Sequence, residues 1–444
     1  MSQFHMTRRE EMLAAHFTKF FHDSSFVELE GGRILHVSKT SFCTSDDGGI
    51  TWSKVYECKD RNGKPVGTSC TSLVKLSGNG IGLAGIVKPK DPQGADWMEQ
   101  HWYMVFWRSD DGGKTWEPPV RMSRPGVDTF ALQDTFLRTS SGRIILPVYL
   151  SIRHGHHPMD PPYPSTGKLA FNQFVSTGGH FYDTGFGACE ALYSDDDGRT
   201  WKKNKDGALA LHLDWNANIS HVGEPSIAEV SPGKLVMMMR TKVGRLYQSW
   251  SMDNGETWTL PFPTSLAADT TPAQIRRIPS TGHLLIVWNQ EGVEDIRRGF
   301  NRMRMSSAIS RNGGGIWEFY QNILSVDDVV RIEPGPIGSV RPEEVYMGTP
   351  LQGVRIRESD YIKTAQFHGR WSYPSVFVMK DRVIVCHTYT HYEPHATKAE
   401  LVKVGGANNE YNQMMKVLPL TWFYGGKQPS ENLSLPRATD PAVP

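Results

Sequence analysis

The sequence predicts an all-β fold, a six-bladed β-propeller with aspartate-containing turns, and three observations predict it. An eight-residue turn pattern, S-x-D-x-G-x-T-W, recurs along the chain. Pairs of short apolar runs, each pair joined by a Gly-, Pro- or Asp-containing turn, interleave with it. The composition agrees: 444 residues hold 42 Gly, 28 Pro and 13 Trp, with 39% hydrophobic and 21% charged. That balance suits a turn-rich β protein better than a helical bundle.

The turn pattern occupies Ser45–Trp52, Ser109–Trp116, Ser194–Trp201 and Ser251–Trp258. A degenerate copy spans Ser310–Trp317, with Asn312 in place of the aspartate. The start-to-start spacings are 64, 85, 57 and 59 residues, which marks a repeat of about one supersecondary unit. In each copy the Asp accepts backbone N–H bonds, the Gly takes positive φ and the Trp buries between strands. These aspartates are therefore read as structural and not as catalytic. The apolar pairs are Phe26–Leu35, Leu73–Ala84, Phe136–Tyr149, Ile227–Met239, Ile275–Trp288 and Val376–Tyr389. Each reads as a β-hairpin, and five are followed by one of the turns. Six hairpins extended to four strands each give six blades, and radial repetition of blades makes a propeller. Met415–Tyr424 is expected as a last strand closing the ring. The expected division is an N-terminal extension over 1–20, the propeller over 21–425 and a mobile tail over 426–444.

Charge and cysteine content narrow the function classes. Forty-eight basic against 47 acidic residues leave a net charge of +1, so no global field recruits nucleic acid or an anionic membrane. Five scattered cysteines with no C-x-x-C spacing indicate neither a disulfide framework nor structural zinc. The first 21 residues lack the apolar run of a signal peptide, and no stretch approaches the roughly 18 apolar residues of a membrane helix. The expectation is a soluble protein of a reducing, cytoplasmic compartment with no metal or organic cofactor.

With those residues in view, the turns resemble the Asp-boxes of the sialidase (neuraminidase) superfamily, over about residues 20 to 425. The resemblance implies a six-bladed propeller with its site on the axis, on the face away from the Asp-boxes. It also implies an arginine triad for a substrate carboxylate, a Tyr–Glu pair and an Asp acid/base. Glu224-Pro225-Ser226 through Arg240 is similar to the family's blade that carries the nucleophile-assisting Glu and one triad Arg. Arg302, eight residues before the degenerate box, is similar in placement to another. Trp371-Ser372-Tyr373-Pro374-Ser375 is similar to the family's last blade, which makes Tyr373 the candidate nucleophile. The physical logic is independent of the family. Converging arginines make a bidentate carboxylate site, and a phenol deprotonated by Glu avoids the repulsion between an anionic nucleophile and an anionic sugar.

The chain also departs from the pattern. The family's first blade opens on Arg-Ile-Pro; here His22 takes the arginine's place, and imidazole cannot make the bidentate fork. The loop that carries the family's Asp acid/base shrinks to Val37–Thr44. Adjacent strand residues face opposite ways, so one of His22 and Asp23 points to the axis. The third blade offers Gln133-Asp134 at the equivalent position. The loop Ser151–Ser165 adds His154, His156, His157 and Asp160 as acid/base or metal-ligand candidates, with a solvated loop as the alternative. Lys88–Trp102 brings two Trp that could stack on a sugar.

The reading that results is an exo-acting, retaining glycoside hydrolase on a terminal acidic sugar of a glycan, with Tyr373 as nucleophile and Glu224 as its base. Arg240, Arg302, His22, Asp23, Asp134 and His154 are the candidate substrate contacts. Two alternatives stand beside it: a lyase acting on a uronate by Tyr/His/Arg β-elimination, and a glycan-binding propeller without chemistry.

Overall fold

The structure is a computed structural model that describes residues 23–88, 101–152, 167–170, 173–176, 186–212, 219–220, 222–241, 243–268, 271–292, 302–325, 327–335, 368–392 and 411–429. Among the described residues six antiparallel sheets form blades, each meandering outward from an innermost strand, and two two-stranded ribbons, Gly167–Ala170 with Gln173–Ser176 and Leu211–His212 with Ile219–Ser220, stand apart from them. Blade 1 runs Ser24–Glu28, Ile34–Ser38, Ser41–Ser45 and Tyr56–Glu57. Blade 2 runs Ser72–Lys75, Ile81–Val87, Tyr103–Ser109 and Val120–Arg121. Blade 3 holds Leu137–Arg138, Ile144–Ile152, Phe186–Ser194 and Lys202–Lys203, with Asp128–Phe130 pairing the far half of its second strand. Blade 4 is Gly223–Ser231, Lys234–Arg240, Arg245–Ser251 and Phe262–Ala267; blade 5 is Gln274–Arg277, Leu284–Asn289, Arg304–Ser310 and Glu318–Ser325. Blade 6 is His368–Val378, Arg382–Tyr392 and Tyr411–Pro419. The six hairpins read from the sequence are the first two strands of the six blades.

The expectation of four strands per blade needs two corrections. Blade 3 carries the extra strand, and blade 6 has three strands among the described residues. The segment Met415–Tyr424 supplies the last strand of the ring, as expected, but only as far as Pro419, and its Met415 and Val417 pack in the cluster that joins blades 1 and 6. Its first half belongs to the third strand of blade 6, which stops at Pro419 because proline has no N–H to continue the ladder. Leu420–Tyr424 then forms a short 3-10 turn that buries Leu420, Phe423 and Tyr424 against blades 5 and 6.

The hydrophobic core lies between blades, as five clusters that join successive blades around the ring. Phe26 and Ile34 of blade 1 meet Ile384 and Cys386 of blade 6, and that contact closes it. Hydroxyl groups stitch the innermost strands together. Ser25 Oγ accepts from Leu73 N (2.8 Å), Ser72 Oγ from Thr135 N (2.8 Å) and Ser226 Oγ from Ile275 N (3.0 Å). Ser375 Oγ donates to Ser24 O at 2.6 Å across the junction of first and last blades. The N–H at each of these strand heads needs an acceptor, and a short hydroxyl side chain on the neighbouring inner strand supplies it.

The five Asp-boxes sit at one end of the blades. In blade 1, Ser45 pairs with Ile34, which pairs with Glu28, so the box lies at the far end of the inner strand from Ser24. Asp47 accepts from Thr51 N (2.9 Å) and Thr51 Oγ1 (2.6 Å), while Gly49 N donates to Ser45 Oγ (2.8 Å). The degenerate box closes the same way, with Asn312 Oδ1 accepting from Ile316 N at 2.8 Å. Glycine is required at the third box: Gly198 has φ +81°, and a Cβ there would fall 2.1 Å from the Phe106 ring.

Candidate active site

The innermost strand of each blade begins at the end of the axis opposite the Asp-boxes. Two residues ahead of the stitching position stand Asp23, Cys70, Gln133, Glu224, Pro272 and Tyr373, one from each blade. Glu224 and Tyr373 occupy β-bulges, marked by register shifts between Gly223 and Ser226 and between Ser372 and Ser375. Both take left-handed backbone, φ +42° and +54°, and each is followed by a proline that has no N–H to leave unpaired. Such conformations cost about 1–3 kcal/mol each and persist where the surroundings over-determine them. Here the bulges turn the two side chains in toward the axis.

The two side chains meet. Tyr373 Oη donates to Glu224 Oε1 at 3.0 Å, and Arg240 Nη1 donates to Glu224 Oε2 at 2.5 Å and to Tyr373 Oη at 3.3 Å. Glu224 and Arg240 are 4% and 1% exposed, so the ion pair is held out of water. Arg302, also left-handed at φ +59°, places its guanidinium carbon 5.6 Å from the Tyr373 ring centroid and donates to Ser372 Oγ at 3.4 Å. Burial and then the Glu224 carboxylate push the Tyr373 phenol up to about 12, with Arg240 and Arg302 pulling the other way. The phenol therefore holds its proton at neutral pH, and the base that removes it is in contact with it. Tyr149 of blade 3 borders the same cluster, and its hydroxyl is raised well above the usual range by burial and by Glu224.

The backbone around the pair is braced. Gln133 Nε2 donates to Tyr373 O (3.0 Å), and Gln274 Nε2 donates to Gln133 O (2.7 Å). Asn289 Nδ2 donates to Trp371 O (2.8 Å) while Trp371 N donates to Arg302 O (2.9 Å), which ties the Arg302 turn to the strand that carries Tyr373.

Asp23 is 2% exposed: its Oδ1 accepts from Cys70 N at 2.6 Å and its Oδ2 lies 3.7 Å from Lys39 Nζ. Burial raises its carboxyl to about 7, against the opposing pull of Lys39. Asp134 is paired through both of its oxygens. Its Oδ1 accepts from Ser25 Oγ (2.7 Å), and its Oδ2 from Arg276 Nη2 (2.9 Å) and Val376 N (3.1 Å). Both oxygens are thus engaged by blades 1, 5 and 6, which makes Asp134 a pin across the ring. His22 and His154 lie outside the described residues, as does most of the loop Ser151–Ser165. Among the described residues no cluster of His, Cys, Asp and Glu has the arrangement of a metal site. A cavity of about 900 Å³ opens at the opposite end, among Phe26, Glu28, Lys75, Arg138 and Phe377, and Asp23, Glu224, Arg240, Arg302 and Tyr373 are not among its lining residues.

A family model described as a BNR repeat-like domain matches residues 90–386, more than half the chain. The chain belongs to this family. A BNR/Asp-box repeat model also matches residues 44–54, the first of the turns. The fold of this BNR-repeat propeller is similar to that of a Hadza microbial sialidase, with TM-score 0.51 and 14% identity over 92% of this chain and 67% of that one. It is similar to Trypanosoma rangeli sialidase at TM-score 0.51 and 14% identity, over 92% of this chain and 56% of that one. A protein of unknown function from Dyadobacter fermentans matches at TM-score 0.51 and 15% identity, over 92% and 98% of the two chains. The BNR-repeat propeller thus spans little more than half the length of the trypanosomal enzyme. No curated protein matches the chain. At these identities the likeness establishes the fold, and no helix among the described residues is long and apolar enough to cross a membrane.

Three residues of the cluster escape a reading by pattern: Lys39, Cys70 and Tyr149. Cys70 was findable, because Cys70-Thr71-Ser72 repeats the register of Glu224-Pro225-Ser226 and Tyr373-Pro374-Ser375. Lys39 and Tyr149 carry no such signal.

Proposed function

We propose that this BNR-repeat propeller is an exo-acting glycoside hydrolase that releases a terminal acidic sugar with retention of configuration. One observation carries the reading: the contact of Tyr373 Oη with Glu224, itself paired to Arg240. Glu224 takes the phenolic proton, and Tyr373 attacks the anomeric carbon as an oxygen nucleophile that is uncharged beforehand. The buried Arg240 and the adjacent Arg302 stabilise the phenolate as it forms and receive the sugar carboxylate. Lysine would supply the charge without the planar fork.

The test is a panel of aryl and natural glycosides of acidic sugars, sialosides and uronides included, incubated with the full chain. The expected product is free monosaccharide from at least one of them, with the β-anomer or α-anomer retained in the first-formed sugar. An unsaturated, ultraviolet-absorbing product identifies a lyase instead, and binding without any product identifies a glycan receptor. Because His22 stands where an arginine is usual, weak cleavage of a standard aryl sialoside and better cleavage of another acidic sugar is the expected pattern.

A further inference from the structure

Tyr373 and Arg302 both stand where regular strand pairing is interrupted. Tyr373 lies inside the register shift between Ser372 and Ser375, and Arg302 precedes the strand that starts at Arg304. Both have left-handed backbone, a conformation that persists only where the surroundings impose it. Asn289, the buried last residue of the second strand of blade 5, joins the two segments. Its Nδ2 donates to Trp371 O at 2.8 Å and to Arg304 O at 3.1 Å. Trp371 stands two residues before Tyr373, and Arg304 two residues after Arg302. The Trp371 N–H in turn donates to Arg302 O at 2.9 Å. One amide group thus commits both of its protons to the stretches that carry the nucleophile and a carboxylate-binding arginine. Among the described residues its Oδ1 is buried without a hydrogen-bond partner. An unpaired buried carbonyl keeps its full desolvation cost, so the two donors, and not packing, account for asparagine at this position. The next residue, Gln290, is also buried, but its bonds go elsewhere. Its Nε2 donates to Ser306 Oγ (2.8 Å) and Val330 O (3.0 Å), and its Oε1 accepts from Ile332 N (3.0 Å).

We propose that Asn289 is a positioning residue of this site: it sets the spacing between the Tyr373 oxygen and the Arg302 guanidinium, and so between the attacked carbon and the carboxylate of an acidic sugar. This deepens the hydrolase reading above and rests on it. In that reading the sugar carboxylate meets Arg240 and Arg302, whose guanidinium carbon lies 5.6 Å from the Tyr373 ring centroid. Binding needs the two guanidinium groups. Reaction needs in addition that the anomeric carbon stand about 3–3.5 Å from the Tyr373 oxygen and in line with it. When the Asn289 amide is lost, the Arg302 turn and the Tyr373 strand keep the Trp371–Arg302 bond but lose the clamp that fixes its angle from blade 5. The carboxylate is then still bound, while the carbon that it carries sits off the line of attack. The loss therefore falls on turnover and not on affinity.

The experiment takes the acidic glycoside that the panel identifies and compares wild type with Asn289→Leu, Asn289→Asp and Gln290→Leu, each checked for folding by its melting temperature. Asn289→Leu keeps the branching of the side chain and removes both donors. It is expected to lower kcat about 10- to 100-fold, with KM and the calorimetric affinity for the free acidic sugar within about threefold. Asn289→Asp keeps the shape and, as the neutral acid, one donor, so its kcat is expected to fall between those of wild type and Asn289→Leu. Gln290→Leu breaks a buried amide of the same strand end without touching either segment, and is expected to lower the melting temperature while kcat stays within about threefold. A merely structural Asn289 would make the two leucine variants alike. A wild type that cleaves no glycoside removes the hydrolase reading and this inference together. Cleavage by wild type with kcat unchanged in Asn289→Leu overturns this inference alone, as does a rise in KM without a fall in kcat, or an equal fall of kcat in Gln290→Leu. Failure of both Asn289 variants to fold makes Asn289 a structural residue and overturns it too.

Discussion

Asp47 and Asp23 lie at opposite ends of one blade, and their carboxyl groups are driven in opposite directions. Asp47 is solvent-facing, and the hydroxyl and N–H of Thr51 hold it down to about 2. Asp23 is sealed from water, and the lost hydration raises it to about 7 although Lys39 and two N–H groups oppose. The Asp-box end repeats this solution. In Asp111 and Asp196 partial burial works against ionisation, but the threonine donors outweigh it and hold both near 2. The axial end does not repeat: its six equivalent positions hold six residue types, two of them on strained bulges. Hydrogen bonds from nearby backbone make a turn that any blade can use. Burial among unlike neighbours makes groups that hold or lose protons near neutrality.

The largest effect expected from breaking that contrast is at Tyr373. Tyr373→Phe should lower turnover by about 10³-fold or more while acidic-sugar affinity, read by calorimetry, stays within a few-fold. Most activity surviving in that variant would return Tyr373 to a structural role. Next in size is Asp134→Ala. Removing one partner of the buried Asp134–Arg276 pair leaves a guanidinium facing blades 1 and 6, and about 3–5 kcal/mol of stability should be lost in denaturant unfolding. A stable Asp134→Ala protein with specifically weakened sugar binding would instead make Asp134 a ligand contact.

The sign at Asp23 is opposite to that of an ordinary paired carboxylate. Its folded value lies above that of the unfolded chain, so its contribution is complete below about pH 4 and is lost as pH rises through 7. Asp23→Asn should remove that dependence. At pH 8 it should be about 2–4 kcal/mol more stable relative to wild type than at pH 4, read from unfolding at both. The smallest effect belongs to the other end. Asp111→Asn should cost about 1 kcal/mol or less and leave turnover unchanged, because Asn312 already closes the fifth box by accepting from Ser310 Oγ and Ile316 N, without the threonine hydroxyl bond that Asp111 also receives. A large loss there, in thermal unfolding, would show that the carboxylate charge matters to the turn.

Much of this was legible without coordinates. The boxes and hairpins are local patterns, and each one folds in the structure where the pattern lies. The Glu224–Tyr373 contact joins residues 149 positions apart; it could be expected only through resemblance to a family whose last blade brings them together. Asp134 sits beside an axial position and reads as a ligand contact. Only the arrival of Arg276 and Val376 from blades 5 and 6 makes it a pin. Lys39 was invisible because its partner is set by the path of a turn, and the strand ending at Pro419 was misjudged because the apolar run continues past the proline.

The sequence alone determined the blade count, the Asp-box turns and the residue type at each inner strand head, because these rest on contacts within about eight residues or on a period that repeats. Tertiary structure alone decided which buried carboxyl is locked and which can change its charge. That choice depends on whether a guanidinium or a lysine arrives from another part of the ring, and on how much water its arrival leaves behind.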